Sequence, residues 1–363
     1  MRKDLIDDRF GRFREIPLEL AIKGHKVQGL CLSYACRDQG WIADGPVQWK
    51  SINAGKIKLS GLLKFVVETV KLARTSDVIW ACSDSFYGVI GCWAGRLHGI
   101  PVIFDIYDNF GEFFVAKLPI VKQLYHWAIR RSDAVTCLSE AFGGYLKERF
   151  HRTNLTFPIE FAVRADLFHP MDIHACRQAL GLPIDALVVG TAGELTPTRE
   201  VHLLIEAFFR LKHRYPLLHL ALAGPLVAGL MLPEDPRLHY LGVLPFEQVP
   251  VFNNALDVAV VCYADDLFGK YCFPQKTREF MACNRPIIAS RVGSLKKLFQ
   301  DHPQWLYDPG SAESLADVLV RRFTDLSTDY PPPPTWTDLA EKIENIMMSV
   351  VKNRLGISPN GSE

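Results

Sequence analysis

Short apolar runs alternate with helix-length amphipathic segments through most of this chain, and that rhythm restricts the fold more than any other feature. A helix-like stretch from Phe13 to Ile22 leads into the strand Val27–Leu32. Next come a helix over about Leu62 to Ala73, the strand Val78–Cys82, a helix near Phe86 to Leu97 and the strand Val102–Ile106. A longer helical region, Ile120 to Arg131, precedes the strand Ala134–Leu138. The pattern restarts after Pro170 with the strand Leu187–Thr191. Val201, Leu204, Ile205, Phe208 and Phe209 then mark one apolar face of a helix. Further strands are read at Leu218–Ala223, His239–Leu241, Asp257–Cys262 and Ile287–Ser290. Strands joined through helices pair in parallel, because a tight hairpin cannot bring them side by side in that sense. The expected class is therefore α/β, with two doubly wound domains.

Length agrees: 363 residues exceed the usual range of one hydrophobic core. The expected division is an N-terminal domain over 1–165, a second over 166–330, and a tail over 331–363. In that tail Pro331–Pro334 form a stiff extended bridge before a final helix, about Trp336 to Asn353. Net charge is +1, from 41 basic and 40 acidic residues, which argues against a general nucleic-acid binder. Nine cysteines lie scattered with no C-x-x-C pair, so they read as small core residues of a reduced, cytoplasmic protein rather than a disulfide or zinc framework. The opening Met1–Asp8 carries no apolar leader segment, and no apolar run reaches 18 residues, so neither a secretory leader nor a membrane-spanning helix is expected. P-loop, H-E-x-x-H and G-x-S-x-G motifs are absent.

The densest chemical signal runs from Pro274 to Ser290, reading P-Q-K-T-R-E-F-M-A-C-N-R-P-I-I-A-S. Pro274 suits the first helical position, and Asn284 a left-handed C-cap. Lys276 and Glu279, three residues apart, share one helix face. By themselves the two charges read either as ligand contacts or as a solvated ion pair. Upstream, the strand Leu187–Thr191 runs into Ala192-Gly193-Glu194-Leu195-Thr196-Pro197-Thr198-Arg199. Gly193 permits close backbone approach, Thr196 is a candidate N-cap and Pro197 the first helical residue. The helix expected next would favour an anion at its N-terminus.

The segment 274–290 resembles the donor-site helix of the large retaining glycosyltransferase family with the GT-B fold (family 4-like, or group 1), whose members read P-x-K-x-x-E-(Y/F)-M-A-x-x-(R/K)-P-(I/V). The resemblance implies two Rossmann-like domains facing a central cleft, a nucleotide-sugar donor (a UDP- or GDP-sugar, with the base left open between uracil, guanine and another), and no bound metal or further cofactor. It implies that Glu279 holds the ribose hydroxyls and that Lys276 lies near the donor phosphates or sugar. Residues 193–199 are similar to the family's G-R-L-x-x-x-K-G segment. Arg199 keeps the charge of the Lys, Glu194 inverts that of the Arg, and Gly193 lets the backbone approach the donor. Tyr271 stands where many members have a further Glu. Gly293, after the strand Ile287–Ser290, is placed near the donor, with Ser294 as an N-cap.

In the N-terminal half, Phe104-Asp105-Ile106-Tyr107-Asp108-Asn109 is similar to the family's H-D segment, which implies that Asp108 orients an acceptor hydroxyl; it reads equally as a turn or helix cap. Ser139-Glu140 matches the family's S-E and is expected to cap a helix. His25 is read as structural. Family members open with a strand and a glycine loop, whereas here Arg9-Phe10-Gly11-Arg12 comes almost at once, so the first strand is expected to be missing or short. Aromatic, aliphatic and basic residues mix through 113–131, read either as a core helix or as a peripheral membrane contact near a lipid-linked acceptor. The implied activity is transfer of a sugar to a glycan or lipid-linked acceptor with retention, in polysaccharide or glycoconjugate assembly on the cytoplasmic side, with Asp108, Arg199 and Lys276 closest to the chemistry. Two other readings share the fold. One is a nucleotide-sugar epimerase, for which no acid/base set is identified. The other is a non-catalytic nucleotide-binding partner, which Glu194 and Tyr271 favour.

Overall fold

The computed structural model describes residues 11–33, 40–55, 59–82, 85–108, 118–152, 155–227 and 229–357. The chain divides into two compact units, one formed by Met1–Glu160 with Trp336–Glu363 and the other by Phe161–Thr335.

The first unit opens with α1 (Arg12–Ile22), then β1 (Gln28–Ser33), β2 (Gly40–Asp44), β3 (Val47–Asn53) and α2 (Leu59–Ala73). β4 (Ile79–Cys82), α3 (Ser85–His98), β5 (Val102–Ile106), α4 (Pro119–Arg131), β6 (Ala134–Cys137), α5 (Glu140–Phe150) and β7 (Thr156–Pro158) follow. Its strands form two sheets. One is fully parallel in the order β4-β5-β6-β7. The other, β1-β3-β2, pairs β1 with β3 in parallel and closes β2 on β3 as an antiparallel hairpin. That hairpin turns at Gly45-Pro46, with Gly45 at φ +57°, a turn that glycine reaches without strain. The helix Trp336–Leu355 packs on α1 in this unit, and the Glu344 carboxylate there meets Lys23 and His25. The expected absence of a first strand concerns residues 1–10, outside the described residues.

The second unit contains α6 (Ile173–Leu180), β8 (Leu187–Ala192), α7 (Val201–Leu211), β9 (Leu218–Ala223), β10 (Leu238–Tyr240), α8 (Val249–Ala255) and β11 (Val258–Val261). α9 (Leu267–Tyr271), α10 (Gln275–Ala282), β12 (Ile287–Ser290), α11 (Gly293–Leu298), β13 (Leu306–Tyr307) and α12 (Ala312–Arg322) complete it, and the terminal helix of the first unit is α13. One parallel six-stranded sheet runs β10-β9-β8-β11-β12-β13. β11 and β12 are buried along their length, which is why their sequences are continuous apolar runs. Phe252, Phe280 and Trp305 fill one face of the sheet, and Leu204, Phe208 and Leu319 the other, so helices cover both sides. Arg177, buried on α6, donates to the carbonyls of Ile184, Ala186 and Ala255 and pairs with Asp257, tying that helix to the sheet.

Candidate functional site

The carboxyl ends of β8, β11 and β12 gather the residues that the sequence singled out in the second unit. Parallel strands place their connecting loops, and hence their ligand sites, at this edge. β8 ends at Ala192, and Gly193 then turns at φ +105°, with its N–H donating to the Ala223 carbonyl at 2.9 Å. A side chain on Gly224 would strike the Gly193 carbonyl at 1.9 Å, so both glycines are needed for these loops to touch.

Two cations converge on Gly193. The Lys276 ammonium lies 3.6 Å from the point a Cβ on Gly193 would occupy, and Arg199 Nη1 lies 4.0 Å from it. Lys276 reaches there from the first turn of α10 and donates to Thr191 Oγ1 at 3.4 Å. Arg199 comes from the loop after β8, where Thr196 Oγ1 accepts from its N–H at 3.1 Å. Its guanidinium lies over the rings of Tyr263 and Phe268, 5.8 and 5.9 Å from their centroids, and pairs with the exposed Glu194 carboxylate at 3.2 Å. Burial, with Arg199 close by, brings the Lys276 ammonium down from 10.5 to about 8.

Glu279 lies one turn further along α10 and is only 9 % exposed. Gln275 Nε2 donates to its Oε1 at 2.9 Å. Burial lifts its carboxyl to about 7, against the opposing pull of Gln275 and Lys276. α10 thus turns both charges into the unit, and Lys276 and Glu279 are not the solvated surface pair that their spacing alone allowed. The helix begins at Gln275, with Pro274 as the N-cap residue rather than the first helical one. Asn284, at φ +52°, takes the left-handed position read for it.

Other expectations in this unit change. Thr196 and Pro197 do open a helical turn, but it is a single 3-10 turn, Pro197–Arg199. Glu200 then breaks it at φ +52° before α7 starts. The α-helix N-terminus itself comes after that break, at Val201. Ser294 does not cap α11. Val292 is the N-cap residue, while Ser294 Oγ donates to the Cys272 carbonyl at 2.7 Å. Gly293, at φ +48°, sits where a side chain would meet the Lys270 and Gly269 carbonyls at 2.5 and 2.6 Å, so its smallness serves the packing of α9 against α11. Thr191, Gln275 and the Tyr263–Phe268 pair were not foreseen, since short polar and aromatic residues at loop ends carry no periodic signal. Neither was Glu200, whose buried carboxylate accepts from the Gly310 N–H at 3.2 Å.

Asp108 belongs to the first unit, half-buried in the bend after β5; Asn109 lies outside the described residues. The neighbouring Asp105 is fully buried, a placement the sequence did not signal. It accepts from Arg12 Nη2 at 2.9 Å and Thr136 Oγ1 at 2.5 Å, linking α1, β5 and β6. Tyr107 packs edge-on against Phe13, with ring centroids 4.7 Å apart. Ser139 caps α5 as read, accepting from the Phe142 N–H at 3.1 Å.

Residues 186–325 match the family described as Glycosyl transferases group 1. The D-inositol 3-phosphate glycosyltransferase of Kribbella flavida is 28 % identical over 183 residues, covering 46 % of this chain and 42 % of that protein. The chain thus matches less than half the length of this curated relative. Among solved structures, sucrose-phosphate synthase from Thermosynechococcus elongatus aligns over 95 % of this chain and 90 % of its own, with a TM-score of 0.69 and 20 % identity. Anabaena HepE in complex with UDP aligns over 92 % of this chain and 99 % of its own, with a TM-score of 0.65 and 21 % identity. The fold is GT-B, α/β with parallel sheets in two Rossmann-like units.

Proposed function

We propose that this protein is a retaining glycosyltransferase that takes its sugar from a nucleoside-diphosphate donor held in the second unit. The observation that carries the reading is the convergence of Lys276 and Arg199 on the Gly193 backbone, with the buried Glu279 one helical turn away. A diphosphate needs two cations against a backbone that it can approach closely, and a ribose needs an acceptor for its hydroxyls. As the bond from the sugar's anomeric carbon to the diphosphate breaks, negative charge gathers on the phosphate oxygens. Fixed cations in a site poor in water stabilise that charge more than they stabilise the intact donor. Glu194 pairs with Arg199 where a phosphate oxygen is expected, so donor binding displaces an exposed carboxylate. Gly293 is assigned to the donor side. Asp108, in the first unit, is assigned to the acceptor hydroxyl. UDP in the structurally similar HepE supports a uridine donor. The acceptor is a glycan or a lipid-linked glycan, in cell-surface polysaccharide or glycoconjugate assembly on the cytoplasmic side.

Part of 113–131 is assigned to peripheral membrane contact; residues 113–117 lie outside the described residues. On α4 and the residue before it, Leu118, Ile120 and Leu124 are exposed alongside Lys122, Arg130 and Arg131. Substituting the three apolar residues by Ser should lower binding to anionic vesicles, and unchanged partition would remove this assignment. Among the described residues no helix is long and apolar enough to cross a membrane.

The deciding experiment is calorimetric titration with UDP, GDP, ADP and CDP, repeated on Glu279→Ala. One nucleotide should bind in the micromolar range and lose about 1–3 kcal/mol in the variant. Equal affinity in both proteins would reject the ribose assignment. Binding without turnover of any donor sugar would favour the non-catalytic reading. Retention is read from the anomeric configuration of the product by NMR.

A further inference from the structure

Asp108 lies past the carboxyl end of β5. The opposite edge of that parallel sheet, at the amino ends of β5, β6 and β7, holds a cavity of about 490 Å³. Three helices finish there. Arg130 comes from the last turn of α4, Arg152 from just past the end of α5, and Arg354 from the last turn of α13. Ser132, Asp133 and Val350 also line it. All of these residues belong to the first unit.

Three guanidiniums thus share the cavity with one carboxylate, and that carboxylate is already engaged. Asp133 Oδ2 accepts from the Val102 N–H at 2.8 Å, and its Oδ1 lies 3.8 Å from Arg354 Nη1. Arg354 Nε donates to the Gly99 carbonyl at 3.2 Å. Arg152 commits Nη1 to the Ile129 and Ser132 carbonyls, at 2.6 and 2.8 Å, which closes the end of α4. Its Nε is buried without a hydrogen-bond partner. Burial lowers the pKa of Arg152, as expected of a cation short of counter-charge. Arg130 holds no ion pair among the described residues; its guanidinium lies over the Phe150 ring, 5.7 Å from the centroid.

Helix ends account for part of this arrangement. Their unpaired carbonyls favour cations, and Arg152 and Arg354 each serve such carbonyls by one edge. They do not account for Arg130, which bonds to none, or for the unpartnered Nε of Arg152. We propose that this cavity is an anion site for a phosphate group, with Arg130, Arg152 and Arg354 as its cations. A phosphomonoester carries close to two negative charges at pH 7, which matches the surplus of positive charge, and its oxygens accept paired bonds from a guanidinium edge. The cavity has room for more than the bare anion, so the phosphate enters attached to a small polyol or to a lipid headgroup. The site is separate from the donor-binding residues of the second unit and does not rest on their assignment.

The test follows backbone amide NMR shifts of the full chain during titration with glycerol 3-phosphate. Ser132, Asp133 and Asn353 should shift in a saturable way, and Arg130→Gln should weaken that binding by about tenfold or more. Arg130 anchors no carbonyl, so this variant should melt with the wild type. Lys122→Gln, on the same helix but outside the cavity, should bind as the wild type does. Shifts at Gly193 report any phosphate bound in the second unit separately. The absence of saturable shifts at Ser132, Asp133 and Asn353 would overturn the proposal, and so would equal affinity in Arg130→Gln. Where the shifts are present, two arms identify the source of the phosphate. Inorganic phosphate binding as tightly as glycerol 3-phosphate would make the free anion the ligand. Retention on phosphatidylcholine vesicles that requires added phosphatidic acid, and is lost in Arg354→Gln, would make it a lipid headgroup.

Discussion

At the scale of single residues, α10 carries the most chemical information. Lys276 and Glu279 are three apart, and both lose water when the helix packs. Glu279 moves from an ordinary 4.5 to about 7, so between those values the folded state holds a proton that the unfolded chain has released. Stability therefore falls as pH rises from 4.5 to 7, by about 3 kcal/mol if Glu279 acts alone. Glu279→Gln should flatten that part of a urea-midpoint profile, and an unchanged slope would show that other groups set it. Lys276 has the opposite sense, since its depressed value of about 8 makes stability rise with pH between 8 and 10.5. In the proposed donor site, nucleotide binding needs the Glu279 carboxylate ionised and the Lys276 ammonium charged. Affinity should therefore weaken below about pH 7 and above about pH 8. Titrations from pH 6 to 9 test this, and a flat profile would separate these two groups from the ligand. Lys276→Gln should remove only the alkaline limb.

At the scale of elements, short loops held by glycines position the cations. Gly193 was legible from the sequence as a place of close approach, and its φ of +105° beside Lys276 and Arg199 accounts for it. Gly293 was read toward the ligand, yet its immediate constraint is the pair of carbonyls that close α9 onto α11. Gly293→Ala combines a positive φ with a 2.5 Å contact to the Lys270 carbonyl, and should cost about 2–3 kcal/mol of stability in the second unit. Chemical denaturation checks this; a loss below about 0.5 kcal/mol would mean that the loop relaxes freely. The β2–β3 hairpin escaped the sequence reading, although its loop Gly45-Pro46 carries glycine at the first turn position. The strand–helix alternation around it implies parallel pairing, which this one turn interrupts.

At the scale of the whole molecule, the chain leaves its first unit at Glu160 and re-enters it at Trp336. α13 then buries Leu339, Ile343 and Val350 against that unit, so residues far apart in sequence share one core. Ile343 is fully buried, and Ile343→Ala should cost about 2–5 kcal/mol. The loss should be local: amide exchange should quicken in α1 and α13 while β8, β11 and β12 keep their protection. Equal quickening in both units would mean that they unfold as one.

The amino-acid sequence by itself determined the strand–helix alternation, hence parallel sheets, and the composition of α10 with its lysine and glutamate. These follow from local spacing, because periodicity and capping act over a few residues. Only the tertiary structure decided that Lys276 and Arg199, 77 positions apart by 276 − 199, meet at Gly193. It alone decided that Arg199 carries Glu194 as its partner, and that residues of β1 and β4 line one cavity of the first unit. Those outcomes depend on which strand edges and loop ends the packed core brings side by side, a long-range property that no short window of sequence contains.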